Sequence, residues 1–135
     1  MGRILLFSEM FEVRELISQD FAAEGHMVVA TGNPALIQTL LTNPDSDLVL
    51  LDLHMNMVNP RRVMQVVKNR FPGTSVLPFA VSTDLRGNLR LIIADWNEGQ
   101  NIPYSDFICR INRFLNFKAF SGGRESPEQM FHREV

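Results

Sequence analysis

The chain has 135 residues, with 13 Lys+Arg against 15 Asp+Glu and a formal charge of −2. One domain fits that length, and 45% hydrophobic with 21% charged residues excludes intrinsic disorder. A pI near 5.9 leaves no basic footprint for nucleic acid or an anionic membrane, the single Cys109 excludes an internal disulfide or thiolate cluster, and no apolar stretch reaches the length of a membrane span or signal peptide. A reducing, cytoplasmic setting with protein partners is the expectation.

Along the chain, short apolar runs alternate with helical periods. Ile4, Leu5, Leu6 and Phe7 form a run without polar alternation, the mark of a strand covered on both faces. Val13, Leu16, Ile17 and Phe21 then share one helical face, closed by Gly25. A second strand spans 26–30, and Gly32-Asn33-Pro34 supplies a turn, an N-cap and a proline suited to the first helical position. Leu36, Ile37, Leu40 and Leu41 make that helix's apolar face, and Asn43-Pro44 stops it.

Residues 48–53 form the clearest strand and carry Asp52 near its end. A helix over about 61–71 follows, then a strand over 76–81 despite Pro78, which removes a ladder donor. Leu85, Leu89, Ile92, Ile93 and Trp96 recur at helical spacing and predict a fourth helix. A short strand at 100–102 precedes a last helix that opens at Ser105-Asp106 and buries Phe107, Ile108, Ile111, Phe114 and Leu115. Strict alternation predicts an α/β fold with a doubly wound, five-stranded parallel sheet and five helices. The domain is expected over 1–117, with 118–135 as a flexible tail or linker remnant.

In such sheets the functional residues lie at the carboxyl ends of the strands. That rule selects Ser8 and Glu9, residues 52–56, residues 80–84, and Ile102-Pro103. The run Asp47-Leu48-Val49-Leu50-Leu51-Asp52-Leu53-His54-Met55, with the Arg3-Ile4-Leu5-Leu6-Phe7 start, Pro72 and Pro103-Tyr104, resembles the receiver domains of two-component response regulators over about residues 3–117. The resemblance implies a flavodoxin-like strand order 2-1-3-4-5. It puts Asp52 in the phosphoacceptor position, where a carboxylate takes a phosphoryl group from a histidine kinase. It also implies Mg²⁺ held by Glu9, Asp52 and the His54 backbone carbonyl, with Ser8 in the outer shell.

Against the family pattern, Ser8-Glu9 supplies one acid where receivers have two. Ile102 stands where receivers have the phosphate-pairing Lys, and Ala80 where they have a hydroxyl, with Ser82 as an alternative if the strand is shifted. Gly99 takes the place of the switching aromatic. A phosphoryl group without its Lys forfeits a charge-assisted contact of about 1.5–3 kcal/mol. The resemblance therefore implies an atypical receiver acting through protein contacts, with phosphorylation switching weakened or absent. A phosphorylation-competent receiver is the alternative, and a flavodoxin-like enzyme or nucleotide binder a remote one, because no Gly-rich loop follows the first strand. Partners are expected to be a kinase or downstream protein, or a second copy through the face from the fourth to the fifth helix. Leu89, Ile93, Trp96, Arg110 and Arg113 are that face's candidates.

Overall fold

A computed structural model describes residues 2–93 and 100–121. Ten elements follow in order: β1 (Arg3–Phe7), α1 (Phe11–Ala23), β2 (Met27–Thr31), α2 (Pro34–Leu40), β3 (Leu48–Asp52), α3 (Pro60–Arg70), β4 (Ser75–Thr83), β5 (Leu89–Ile93), β6 (Gln100–Pro103) and α4 (Tyr104–Ser121). The strands make one sheet in the order β2-β1-β3-β4-β5-β6. The first four are parallel in right-to-left neighbours β2-β1, β1-β3 and β3-β4, whereas β5 runs antiparallel to both β4 and β6.

The α/β class holds; the described residues form a mixed six-stranded sheet and four helices, where the sequence pattern predicts five parallel strands and five helices. The difference lies in one segment. Leu89 and Ile93, expected on a helix, are the first and last residues of β5. A five-residue connection, Asp84 to Asn88, turns the chain straight back onto β4, pairing Thr83 with Leu89. Asp84 organises that turn. Its Oδ1 accepts from Arg86 N and Asn88 N, and its backbone N–H donates to the Asn88 carbonyl. Gly87 supplies the positive φ, +83°, that the turn requires. A loop this short permits only an antiparallel neighbour, since a parallel one needs a long crossover. Trp96 and Gly99 lie outside the described residues.

Every residue of β3 is buried, with alternate side chains entering opposite layers. Leu48 and Leu50 pack with Ile4, Leu6, Phe21 and Phe107 beneath α1 and α4. Val49 and Leu51 pack with Leu5, Phe7, Ile37 and Val67 beneath α2 and α3. Asn33 and Asn59 cap α2 and α3 through their side-chain oxygens, each followed by Pro at the first helical turn. Leu16, expected to face inward, is 37% exposed.

Pro78 sits within β4 without breaking it. The Phe79 carbonyl accepts from Leu53 N, so Phe79 directs its polar groups toward β3. Pro78, one residue earlier, turns its nitrogen the other way, toward the β5 side of the strand, where the described register with β5 includes Phe79 paired with Ile93. On the final helix, Lys118 Nζ donates to the carbonyls of Asp47 and Gly73, tying α4 to the entries of β3 and β4. The helix thus continues past the boundary expected at 117 and anchors there.

Candidate functional site

The parallel register of β1 and β3 pairs Phe7 with Leu51, which brings the next residues, Ser8 and Asp52, side by side at the carboxyl edge. Both are buried, at 0% and 1% exposure. Ser8 Oγ donates to Asp52 Oδ2 at 2.7 Å, and His54 N donates to Asp52 Oδ1 at 2.9 Å. Each carboxylate oxygen thus has a protein donor, one from the neighbouring strand and one from its own loop. Ser8 Oγ also accepts from Met10 N at 3.2 Å, and the Ser8 backbone is held by Thr31 and by Arg14 Nη1. The hydroxyl both satisfies the buried acid and steadies the entry to α1.

Glu9 points elsewhere. Its carboxylate accepts from Asn56 N at 2.9 and 3.0 Å and from Met57 N at 2.7 Å, clamping the loop between β3 and α3 to the end of β1. Those backbone donors hold its carboxyl below the usual range. His54 is exposed, and its backbone N–H is the group that meets Asp52. Beside Ser8, Gly32 passes so close that a Cβ there would lie 2.6 Å from the Ser8 carbonyl and 2.8 Å from Glu9 Cα. Sequence reasoning marked Gly32 only as a turn residue and missed Arg14, whose role depends on contacts that no local spacing encodes.

The other expected positions are spread along the sheet. Phe79 is the register partner of Asp52, so Ala80 is the next residue on β4, buried at 9% exposure. Ser82 lies two residues further out, paired with Arg90 in the hairpin. Ile102 is buried on β6 opposite Leu91, and β5 separates it from β4. At about 4.8 Å per strand, β6 stands roughly 14 Å from β3 across the sheet. Ile102 therefore does not converge on Asp52. Arg110 and Arg113 lie on α4, with Arg113 Nη2 4.0 Å from the Sγ of the exposed Cys109. Of the predicted set, the fold brings Ser8 and Asp52 together with His54 N, and holds Glu9 over the adjacent loop.

A resident Mg²⁺ takes several oxygen ligands at once, with carboxylate charge to offset its dehydration. Here both Asp52 oxygens already accept hydrogen bonds, Ser8 brings no charge, and Glu9 is engaged by two backbone amides. Among the described residues no three His, Cys, Asp or Glu side chains group around a metal-sized position. The donor set as folded does not fit the ion.

No family model matches the sequence, and no curated protein matches it. Among solved structures, the chain is similar to a response regulator from Thermotoga maritima, with a TM-score of 0.53 and 18% identity, covering 62% of this chain and 70% of that one. It is also similar to a signal receiver domain from Vibrio parahaemolyticus, with a TM-score of 0.52 and 19% identity, covering 63% of this chain and 65% of that one. The chain therefore has the receiver-domain fold, carried on a mixed sheet.

Proposed function

We propose that this chain is a receiver-type signalling module that works through protein contacts, with phosphorylation switching weakened or absent. The observation that supports this most directly is that each Asp52 oxygen already accepts a hydrogen bond, one from Ser8 Oγ and one from His54 N. A phosphoacceptor must present a free carboxylate oxygen to an incoming phosphoryl group, and charge must be neutralised around it. In the resting arrangement each Asp52 oxygen is shared with a protein donor, and neither Ser8 nor Ile102 brings neutralising charge, which supports weakened switching. The Ser8 hydroxyl stabilises the buried carboxylate in place of a cation, and Ile102 contributes no charge.

On this reading Asp52 is a structural acid that ties β1 to β3. Glu9 fixes the loop that a receiver would reshape on phosphorylation. No catalytic turnover is proposed, and Mg²⁺ would bind weakly if at all. Partners remain of the two-component kind, a kinase or a downstream protein.

The test is a Mg²⁺ titration read from the amide resonances of His54, Asn56 and Met57, beside the variant Ser8→Asp. The native chain is expected to show no saturable shift at millimolar Mg²⁺. Ser8→Asp, with a second acid beside Asp52, is expected to lose thermal stability without the metal and recover it on addition. A saturable, Asp52-dependent shift in the native chain would instead favour the phosphorylation-competent reading.

A further inference from the structure

On the sheet face opposite α1 and α4, helices α2 and α3 border an open groove of about 530 Å³. Ile37, Leu41, Val63 and Val66 give it apolar walls, and Arg62 and Arg70 flank it. Among the described residues, no carboxylate and no aromatic ring lines it. Arg62, Val66 and Arg70 fall at successive i, i+4 positions along α3, so the two arginines stand about 12 Å apart along the helix axis. Neither guanidinium has an ion pair or hydrogen bond to a described residue.

The charge on α3 has no folding rationale at one of its ends. The helix carries Arg61, Arg62, Lys68 and Arg70 and no acid. Lys68 and Arg70 in the last turn complement the helix dipole, whereas Arg61 and Arg62 in the first turn oppose it. A chain of net charge −2 has thus concentrated four cations on one helix, two of them at the end where they destabilise it.

We propose that the α2–α3 groove docks an acidic amphipathic helix of a partner protein. Its apolar side lies along Ile37, Leu41, Val63 and Val66, and carboxylates two turns apart meet Arg62 and Arg70. The arginine spacing matches that repeat, about 11 Å for two turns. Nucleic acid is disfavoured because the groove offers apolar walls and no stacking platform.

A fluorescein-labelled peptide of about 15 residues, with Leu at helical spacing flanked by Glu, serves as the probe for the full chain by anisotropy. Its scrambled isomer and its Glu→Lys counterpart are the controls. The amphipathic acidic peptide is expected to bind, with affinity falling at least about tenfold for either control and for R62E/R70E or Val66→Asp. Circular dichroism melts confirm that the variants remain folded. Equal binding of the scrambled peptide, or indifference to R62E/R70E, overturns the proposal. So does displacement by a DNA duplex, displacement by a synthetic peptide of residues 122–135, or a concentration-dependent dimer that R62E/R70E abolishes.

Discussion

Asp52 is 1% exposed, and its carboxylate depends on Ser8 Oγ and His54 N for the hydrogen bonds that water would otherwise provide. Ser8→Ala removes one of these and leaves a buried oxygen of a carboxylate without a donor. The expected cost is about 2 kcal/mol, the range for a hydrogen bond to a charged group, read as a lower midpoint in urea. Gly32→Ala acts on the same corner from the other side. Its Cβ would meet the Ser8 carbonyl at 2.6 Å and Glu9 Cα at 2.8 Å, both backbone atoms that cannot swing aside. A loss of about 1–3 kcal/mol is expected, as for overpacked positions. Were Gly32→Ala neutral in the same denaturation, the close packing of β2 on the Ser8 corner would be refuted. Glu9 gives a pH signature. Its carboxyl is depressed from the ordinary 4.5 by the Asn56 and Met57 amides, so the tie is present above that value and is lost as pH falls through the folded pKa. Protection of the Asn56 and Met57 amides, relative to their intrinsic exchange rates, should therefore fall in acid ahead of global unfolding. Glu9→Gln should give the same loss of protection at neutral pH.

At the scale of elements, β5 changes what the sheet can do. It inserts between β4 and β6 and carries Ile102 one strand further from Asp52 than a five-stranded order would place it. Restoring the cation alone should therefore fail. Ile102→Lys is expected to destabilise the chain by burying an unpaired ammonium and to give no gain in binding of phosphate analogues. A gain would mean that β6 can approach β3. The misreading of this segment has a plain cause. Leu85, Leu89, Ile92, Ile93 and Trp96 fit a 3.6-residue period, yet Leu89–Ile93 is only five residues long and follows Gly87-Asn88, a turn signal that favours a hairpin. A capped element such as α2, behind Asn33-Pro34, was legible because capping and periodicity agreed. Lys118 was not, since its carbonyl partners lie 71 and 45 residues away in sequence. Lys118→Met should lower stability by about 1–2 kcal/mol, a hydrogen-bonded cation discounted for its half-exposure. Thermal melts of that variant would show whether α4 is anchored there.

For the whole molecule, two apolar layers on a common sheet explain why the fold class could be read from sequence. Strands β1 and β3 are continuous apolar runs because helices cover both faces, and that pattern survives the change at β5. The carboxyl-edge rule found Ser8, Glu9 and Asp52 for the same reason: a parallel register places adjacent strand ends together. What the rule leaves open is the direction each side chain takes. Glu9 turns to the loop amides and Ser8 to Asp52, outcomes decided by three-dimensional hydrogen bonding. No described helix is long and apolar enough to cross a membrane. The fold thus places Asp52 at a strand end and commits its carboxylate to internal hydrogen bonds.

The most direct measurement is intact mass after incubation of the full chain with a small-molecule phosphodonor and Mg²⁺, with Asp52→Ala as the control. The account predicts an unchanged mass for both proteins, because the Asp52 carboxylate is engaged by Ser8 Oγ and His54 N. A phosphoryl adduct on the native chain that disappears in Asp52→Ala would contradict it.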